Sequence, residues 1–275
     1  KPGERVFCFV PESGRFTVSY LMFTVVDSAE ARTTSLPAVA PPHAATDVEP
    51  GALADLLGEL AQVWHEYRSR AWRTQLIQRI MSGTLSRPDY LNWMSCWIPQ
   101  VREGSRWMRT AVSNVHPPFE LLAALIGAHA DDEQFDFRIL FDDYQLAGGV
   151  APKIEALRRN PGGEALNAFM YASAAKRNPV GMLGAIYIIE GTGHRIVPQL
   201  LPRLRGQLDL PERCYRFLHY HGENDVNHLE RWLNAVRLVL AENPSGAAAK
   251  SIAATARATA DLYLLQLGQA LDPVC

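Results

Sequence analysis

The stretch HYHGENDVNH, residues 219–228, decides how the chain is to be read. Three histidines, an Asp and a Glu stand there between two apolar runs, CYRFL (214–218) and LERWLNAVRLVL (229–240). The apolar residues on either side recur with the 3.6-residue period of an amphipathic helix. On that period His221, Asp225 and His228 fall at i, i+4 and i+7. They share a stripe with Phe217 and Leu218 before them and with Trp232, Val236 and Val239 after them. That stripe is the face a helix buries. An acid and two imidazoles buried there cost several kcal/mol unless each finds a partner. A polar network needs three separate partners; one cation satisfies all three.

Two other segments repeat the anomaly. In LLAALIGAHADDEQFDFRILFDDY (121–144) the stripe of Leu122 and Ile126 passes through His129, Glu133 and Asp136 before returning to Leu140. In GMLGAIYIIEGTGHRIVPQLL (181–201) the stripe of Leu183 and Ile186 meets Glu190 before Val197 and Leu201. Three helices thus direct Glu133, Asp136, Glu190, His221, Asp225 and His228 to the interior. Taken singly, a buried His or Glu is more often a satisfied core residue than a ligand. Together, four carboxylates and two imidazoles form a donor set for two iron or manganese ions, whose charge the carboxylates balance.

The rest of the chain sets limits. It has 275 residues, 48% hydrophobic and 20% charged, with a formal net charge of -2, which gives no electrostatic reason to expect nucleic acid or an acidic membrane as partner. The four cysteines are scattered and form no CxxC pair, so neither a zinc knuckle nor a disulfide framework is indicated, and a cytoplasmic location is expected. No apolar run approaches the ~20 residues of a membrane span. Residues 4–26, ERVFCFVPESGRFTVSYLMFTVV, read as a β-hairpin turning at Pro11–Gly14, and SLPAVAPPHAATDVEP (35–50) as part of a flexible linker. The expected organisation is a hairpin over 1–27, an Ala/Pro-rich linker over 28–50 and an all-α domain over 51–275. Its seven helices are expected near 52–82, 87–113, 118–147, 152–175, 179–203, 211–241 and 246–270. Beginning with Lys rather than Met, the chain reads as part of something longer.

Two resemblances follow from these residues. The opening run, with its ESGR between apolar strands, resembles the last two strands of the type III β-ketoacyl-acyl-carrier-protein synthase (thiolase-like) family. It implies the remnant of an upstream condensing-enzyme domain, without that family's catalytic residues. The segments GAIYIIEGTG and RFLHYHGENDVNHLE resemble the haem-oxygenase-like non-haem di-iron oxidase and oxygenase superfamily over roughly 60–241. That family's pattern is Glu-x-x-His, then a Glu, then His-x3-Asp-x2-His. Glu133, Glu190, His221, Asp225 and His228 match it, while Asp136 stands where the pattern has His. His129, one turn before Glu133, is the other source of nitrogen there.

The resemblance implies a haem-oxygenase-like bundle holding two Fe(II) ions, with manganese as the alternative at the first position, and using dioxygen as co-substrate. Glu133 and Glu190 would serve as catalytic carboxylates. The substrate would be an amine, an amino acid or an acyl or fatty acid, small or carrier-bound, in a biosynthetic pathway, and the chain a homodimer. The competing reading is a catalytically silent helical domain that docks a carrier protein or dimerises a condensing enzyme. A haem oxygenase would need His65 as axial ligand, and a TenA-like enzyme would need Cys96 or Cys214 as nucleophile. His194, one turn after Glu190, is a candidate for orienting a ligand. Tyr187 and Phe135 are candidates for a pocket wall, Trp93, Trp97 and Trp107 read as core, and Gly191 and Gly193 read as sites of close helix approach.

Overall fold

A computed structural model of the chain describes residues 5–9, 20–24, 50–243 and 245–272; of 5–9, 20–24, 50 and 223–227 it describes the backbone alone. The chain divides into two units, Lys1–Ala45 and Thr46–Cys275. In the first, β1 (Arg5–Phe9) pairs antiparallel with β2 (Tyr20–Thr24), Arg5 opposite Thr24 and Phe9 opposite Tyr20. The turn expected at Pro11–Gly14 and nearly all of the linker expected over 28–50 lie outside the described residues.

The second unit is all helical among the described residues. Its ten α-helices are α1 (Pro50–Ala71), α2 (Gln75–Ser82), α3 (Arg87–Ser113), α4 (Glu120–Glu133), α5 (Asp136–Leu146), α6 (Pro161–Ala174), α7 (Met182–Arg195), α8 (Val197–Leu208), α9 (Arg216–Glu242) and α10 (Ala247–Gly268). The sequence suggests seven, and the difference has local causes. Where one helix is expected over 52–82, the Thr74 hydroxyl donates to the Ala71 carbonyl and ends the first turn of chain there. The expected helix over 179–203 breaks at Ile196, because Pro198 has no N–H to donate and is tolerated only in the first turn of a new helix. The expected helix over 118–147 breaks between Glu133 and Asp136, after which the chain turns and restarts as α5. The helix expected from 152 starts instead at Pro161, where Asn160 Oδ1 accepts from Gly163 N at 2.8 Å. No described helix is long and apolar enough to cross a membrane.

α3 shows how the sequence sets a boundary. Ser86 Oγ accepts from Asp89 N while Asp89 Oδ2 accepts from Ser86 N at 2.9 Å, a reciprocal cap that, with Pro88 in the first turn, starts the helix where expected. α7 is the central element, buried from Met182 through Ile188, and packs against α9 and α10. Close contact with α10 depends on Gly184: a Cβ there would overlap the Ile252 carbonyl oxygen. Across α7 and α9, Trp232 Nε1 donates to the Leu183 carbonyl at 2.7 Å. The start of α9 is fixed from α5: Asp143, 1% exposed, accepts from Phe217 N at 2.8 Å and from Arg216 Nε at 3.0 Å. A carboxylate there also complements the N-terminal end of the helix dipole.

Candidate metal centre

α4, α5, α7 and α9 bring the polar residues of the buried stripes together. Glu190 of α7 lies at the centre: its Oε1 is 3.2 Å from His129 Nε2 and its Oε2 3.3 Å from His228 Nδ1. The two imidazoles lie with ring centroids 4.5 Å apart. Glu133 Oε1 stands 3.8 Å from His228 Nδ1. On the other side of Glu133, His221 Nε2 lies 3.4 Å from Asp136 Oδ2, and the Phe217 ring packs edge-on to His221 at 4.3 Å.

Two donor groups result. His129, Glu133, Glu190 and His228 form one, and Glu133, Asp136 and His221 the other, the ligating atoms of each lying within 4.8 Å of one another. Glu133 belongs to both. Bonds of ~2.1 Å to a central ion would set opposite donors ~4.2 Å apart, so each group needs only a small contraction to close on a cation. The mixture of imidazole and carboxylate suits iron, manganese or zinc better than magnesium or calcium. Asp136 is 4% exposed, and its Oδ2 is buried without a hydrogen bond. An orphaned carboxylate oxygen is costly unless a cation meets it. The residues therefore fit a metal pair.

Burial and neighbouring charge shift three of these groups. Burial pushes the Glu190 carboxyl up, but the hydrogen bonds and charge of His129 and His228 outweigh it and hold the group well below the ordinary carboxylate range. Burial raises Asp136 to about 6, with Glu190 and Asp132 adding to the shift and His228 opposing it. Burial lowers His221 to about 4 against the pull of Glu190. Near neutral pH Asp136 is therefore mainly anionic and His221 is neutral, with a lone pair to offer.

Of the residues expected from sequence, Glu133, Asp136, Glu190, His221 and His228 come together, on four helices rather than three. The side chain of Asp225 lies outside the described residues. His129 joins the first group as its second nitrogen. No hydrogen bond connects His194 to the cluster among the described residues, and its Nδ1 is buried without a partner. Phe135 is 53% exposed with Arg138 stacked on it, so it lines no pocket; Tyr187 packs between Trp64 and Trp232 instead. Gly191 makes room for a side chain rather than backbone, since a Cβ there would lie 2.8 Å from Trp64. Sequence reading missed Asp132 and Arg231: Asp132 Oδ2 lies 3.7 Å from His228 Nε2 and accepts from Arg231 Nη1 at 2.7 Å. Both look like ordinary surface charges in the sequence.

A cavity of about 170 Å³ opens onto the cluster, with Glu133, Glu190 and His221 on its wall. Apolar residues of α2, α3, α7, α8 and α10 form most of the rest, including Trp93, Trp97 and Trp107, which are thus both core and cavity wall.

The architecture is a haem-oxygenase-like fold. A domain of unknown function with a heme oxygenase-like fold from Shewanella denitrificans superposes with a TM-score of 0.69 at 19% identity, covering 79% of this chain and 91% of its own. A TenA homolog from Pseudomonas syringae pv. tomato gives 0.67 at 14% identity, covering 86% and 98%. A TenA homologue from P. horikoshii gives 0.61 at 14%, covering 80% and 98%. Within this fold, residues 145–264 match the family model described as iron-containing redox enzyme. The matched stretch carries Glu190, His221, Asp225 and His228 but begins after His129, Glu133 and Asp136. No curated protein matches the chain. None of these likenesses concerns the condensing-enzyme resemblance of residues 1–27.

Proposed function

We propose that the chain is a non-haem, di-iron, dioxygen-dependent oxidoreductase acting on a small organic substrate. The observation that carries this reading is the sharing of Glu133 between two donor groups, the arrangement a pair of neighbouring ions needs. The match of residues 145–264 to an iron-containing redox enzyme model supports iron as the metal. Bound iron would supply the electron transfer to dioxygen that amino-acid side chains lack.

The side chains do the rest. His129, Glu190 and His228 would hold one ion and Asp136 and His221 the other, with Glu133 between them. The Arg231–Asp132 pair faces the far nitrogen of His228 and favours the tautomer that keeps Nε2 protonated. The mostly apolar wall would disfavour water in the cavity. Thiol chemistry has no group to carry it among the described cysteines. Cys96 and Cys214 are buried, neither is on the cavity wall, and burial raises both thiols, Cys96 to about 11. His65 is not on that wall either.

Anaerobic titration with Fe(II), followed by exposure to dioxygen, tests the reading. Two ions per chain and metal-dependent oxygen uptake are expected. A single ion at saturation, or two ions with no oxygen uptake by any substrate tried, would leave a mononuclear or catalytically silent helical domain in its place.

A further inference from the structure

The cluster also comes close to the surface by a route that avoids the cavity. Trp64 of α1, 8% exposed, packs against the α7 backbone at Gly191, where a Cβ would lie 2.8 Å from its ring. Gly191 directly follows Glu190, the carboxylate at the centre of the cluster. A glycine lets the indole approach α7 this closely. The exposed Arg195 covers the ring, its guanidinium 5.3 Å from the indole centroid and 5.9 Å from that of Tyr187. Neither Trp64 nor Arg195 is on the cavity wall. One indole ring thus stands between an exposed cation and the backbone that carries Glu190.

Arg195 belongs to a charged face. Gln199 of α8 joins it to Arg68 of α1: Gln199 Nε2 donates to the Arg195 carbonyl at 2.6 Å, and Gln199 Oε1 accepts from Arg68 Nη2 at 3.5 Å. One turn further along α8, the exposed Arg203 donates to the Met81 carbonyl at 3.3 Å. Amides and carbonyls satisfy these donors without neutralising them. Among the described residues none of the three arginines forms an ion pair, whereas Arg70, Arg79 and Arg205, close to them in sequence, each pair with an acid. Glu66 lies two residues from both Trp64 and Arg68, a spacing that turns it away from them. On a chain of net charge -2, three uncompensated cations on one face steer an anionic partner to it. Their spread over α1, α7 and α8 suits the acidic face of a protein better than one small anion.

Resting on the metal centre proposed above, we infer that the face of Arg68, Arg195 and Arg203 docks an acidic one-electron carrier protein, whose electron enters at Trp64 and passes along α7 to Glu190. Dioxygen takes up four electrons on its way to water, so a substrate that gives up two leaves two for an external donor to supply. Each carrier molecule is oxidised by one electron, and one ferric ion held by the cluster is reduced to ferrous. No bond forms or breaks in this step and no proton has to cross the indole, which serves as the medium for transfer and is neither oxidised nor reduced.

A plant-type [2Fe–2S] ferredoxin, an acidic one-electron carrier, serves as the probe. Its oxidised form should bind the metal-free protein in low salt, as measured by calorimetry, and bind about tenfold more weakly in ~0.2 M salt. Arg68→Glu and Arg195→Glu should each weaken binding by about tenfold at unchanged helical circular dichroism. The electron step is read under argon by mixing reduced ferredoxin with protein loaded with ferric iron and following the ferredoxin absorbance. At saturating ferredoxin, Trp64→Leu should slow the transfer several-fold, with ferredoxin affinity and iron content unchanged. Trp64→Phe, which keeps a ring, should fall between the parent and Trp64→Leu, and it keeps the test open should the leucine variant fail to fold. Photoreduced deazaflavin, a small donor that needs no docking face, should reduce every variant at the parent rate. Ferredoxin affinity that ignores salt and both charge reversals would overturn the docking face, and a parent transfer rate in the Trp64 variants would overturn the entry point. If the protein takes up no iron, the metal centre falls by itself, and the calorimetry still decides the docking face.

Discussion

Glu133 stands in both donor groups, so its replacement separates a shared centre from two independent ones. Glu133→Gln keeps the size and one oxygen but removes the charge. Protein sites that bind a divalent ion through four ligands reach roughly 10–16 kcal/mol, or about 3 kcal/mol per ligand, which corresponds to a factor of ~100 in affinity. A shared carboxylate should therefore weaken both ions by about a hundredfold each. His129→Ala, which touches only the first group, should weaken one ion by the same factor and leave the other near its parent affinity. The assay is calorimetric titration with Fe(II) or Mn(II) in an anaerobic cell, with total metal checked by elemental analysis. The metal-free proteins should be compared by thermal unfolding at the same time. Losing the Glu133 charge removes one anion from a crowded buried site, so the metal-free variant should be no less stable than its parent. Loss of only one ion in Glu133→Gln would refute the bridging role. Loss of two ions in His129→Ala would show that the two groups are not separable.

Other outcomes follow from the same geometry. The raised Asp136 pKa means that the folded metal-free protein is penalised when this carboxyl ionises. The penalty is absent below its ordinary pKa of 3.8 and full above about 6, roughly 3 kcal/mol by the linkage relation. Asp136→Asn should accordingly stabilise the metal-free protein at pH 7 and not at pH 3.5, measured by urea unfolding; equal effects at both would refute burial as the cause. Metal affinity of the parent should also fall as pH drops through 6, because protons compete for Asp136, and that step should be missing in Asp136→Asn. Because Asp136 and His129 lie in different groups, Asp136→His should not restore the ion lost by His129→Ala; full recovery in the double variant would merge the groups. Trp232→Phe should cost about 1 kcal/mol through loss of the hydrogen bond from its indole N–H to the Leu183 carbonyl, with metal stoichiometry unchanged. Gly184→Ala should destabilise the fold by about 1–3 kcal/mol, since the obstructing atom is backbone and α7 must move off α10.

How far these features could be read from sequence depends on whether their signal is local. The bounds of α3 were legible because Ser86, Pro88 and Asp89 write the cap into four consecutive residues. The polar stripe of α9 was legible because acids and imidazoles interrupt an apolar face at helical spacing. Pro198 was also a local signal, and it marks the α7–α8 break that the apolar period runs straight through. The break between α4 and α5 carries no such mark: Gln134 and Phe135 are ordinary helix residues. The turn there is a tertiary result: periodicity alone puts Glu133 and Asp136 on one face of a single helix, whereas they reach the same donor group from two helices, α4 and α5.

The cavity was hidden for a different reason. A stripe of Trp, Leu and Ile tells which face of a helix turns inward but not whether the opposing faces meet, and most of them close to crystal-like density. Trp107 Nε1 and Gln100 Oε1, buried on residues of the cavity wall without a hydrogen bond, have no counterpart in the sequence pattern that could have marked them. Nitrogen supply shows the same contrast between pattern and placement. The resemblance expects an imidazole at 136 and finds Asp136 there, yet three histidines still enter the cluster because His129 supplies the third from one turn earlier on α4. The imidazole has moved to the group that already contains His228, leaving His221 as the one described nitrogen beside Asp136. With Glu133 shared, each donor group holds two carboxylates, but one offers two imidazoles and the other a single one. Two ions bound there would have unequal surroundings, and the position with two imidazoles should retain Fe(II) more firmly, so the two should differ in how readily they are oxidised.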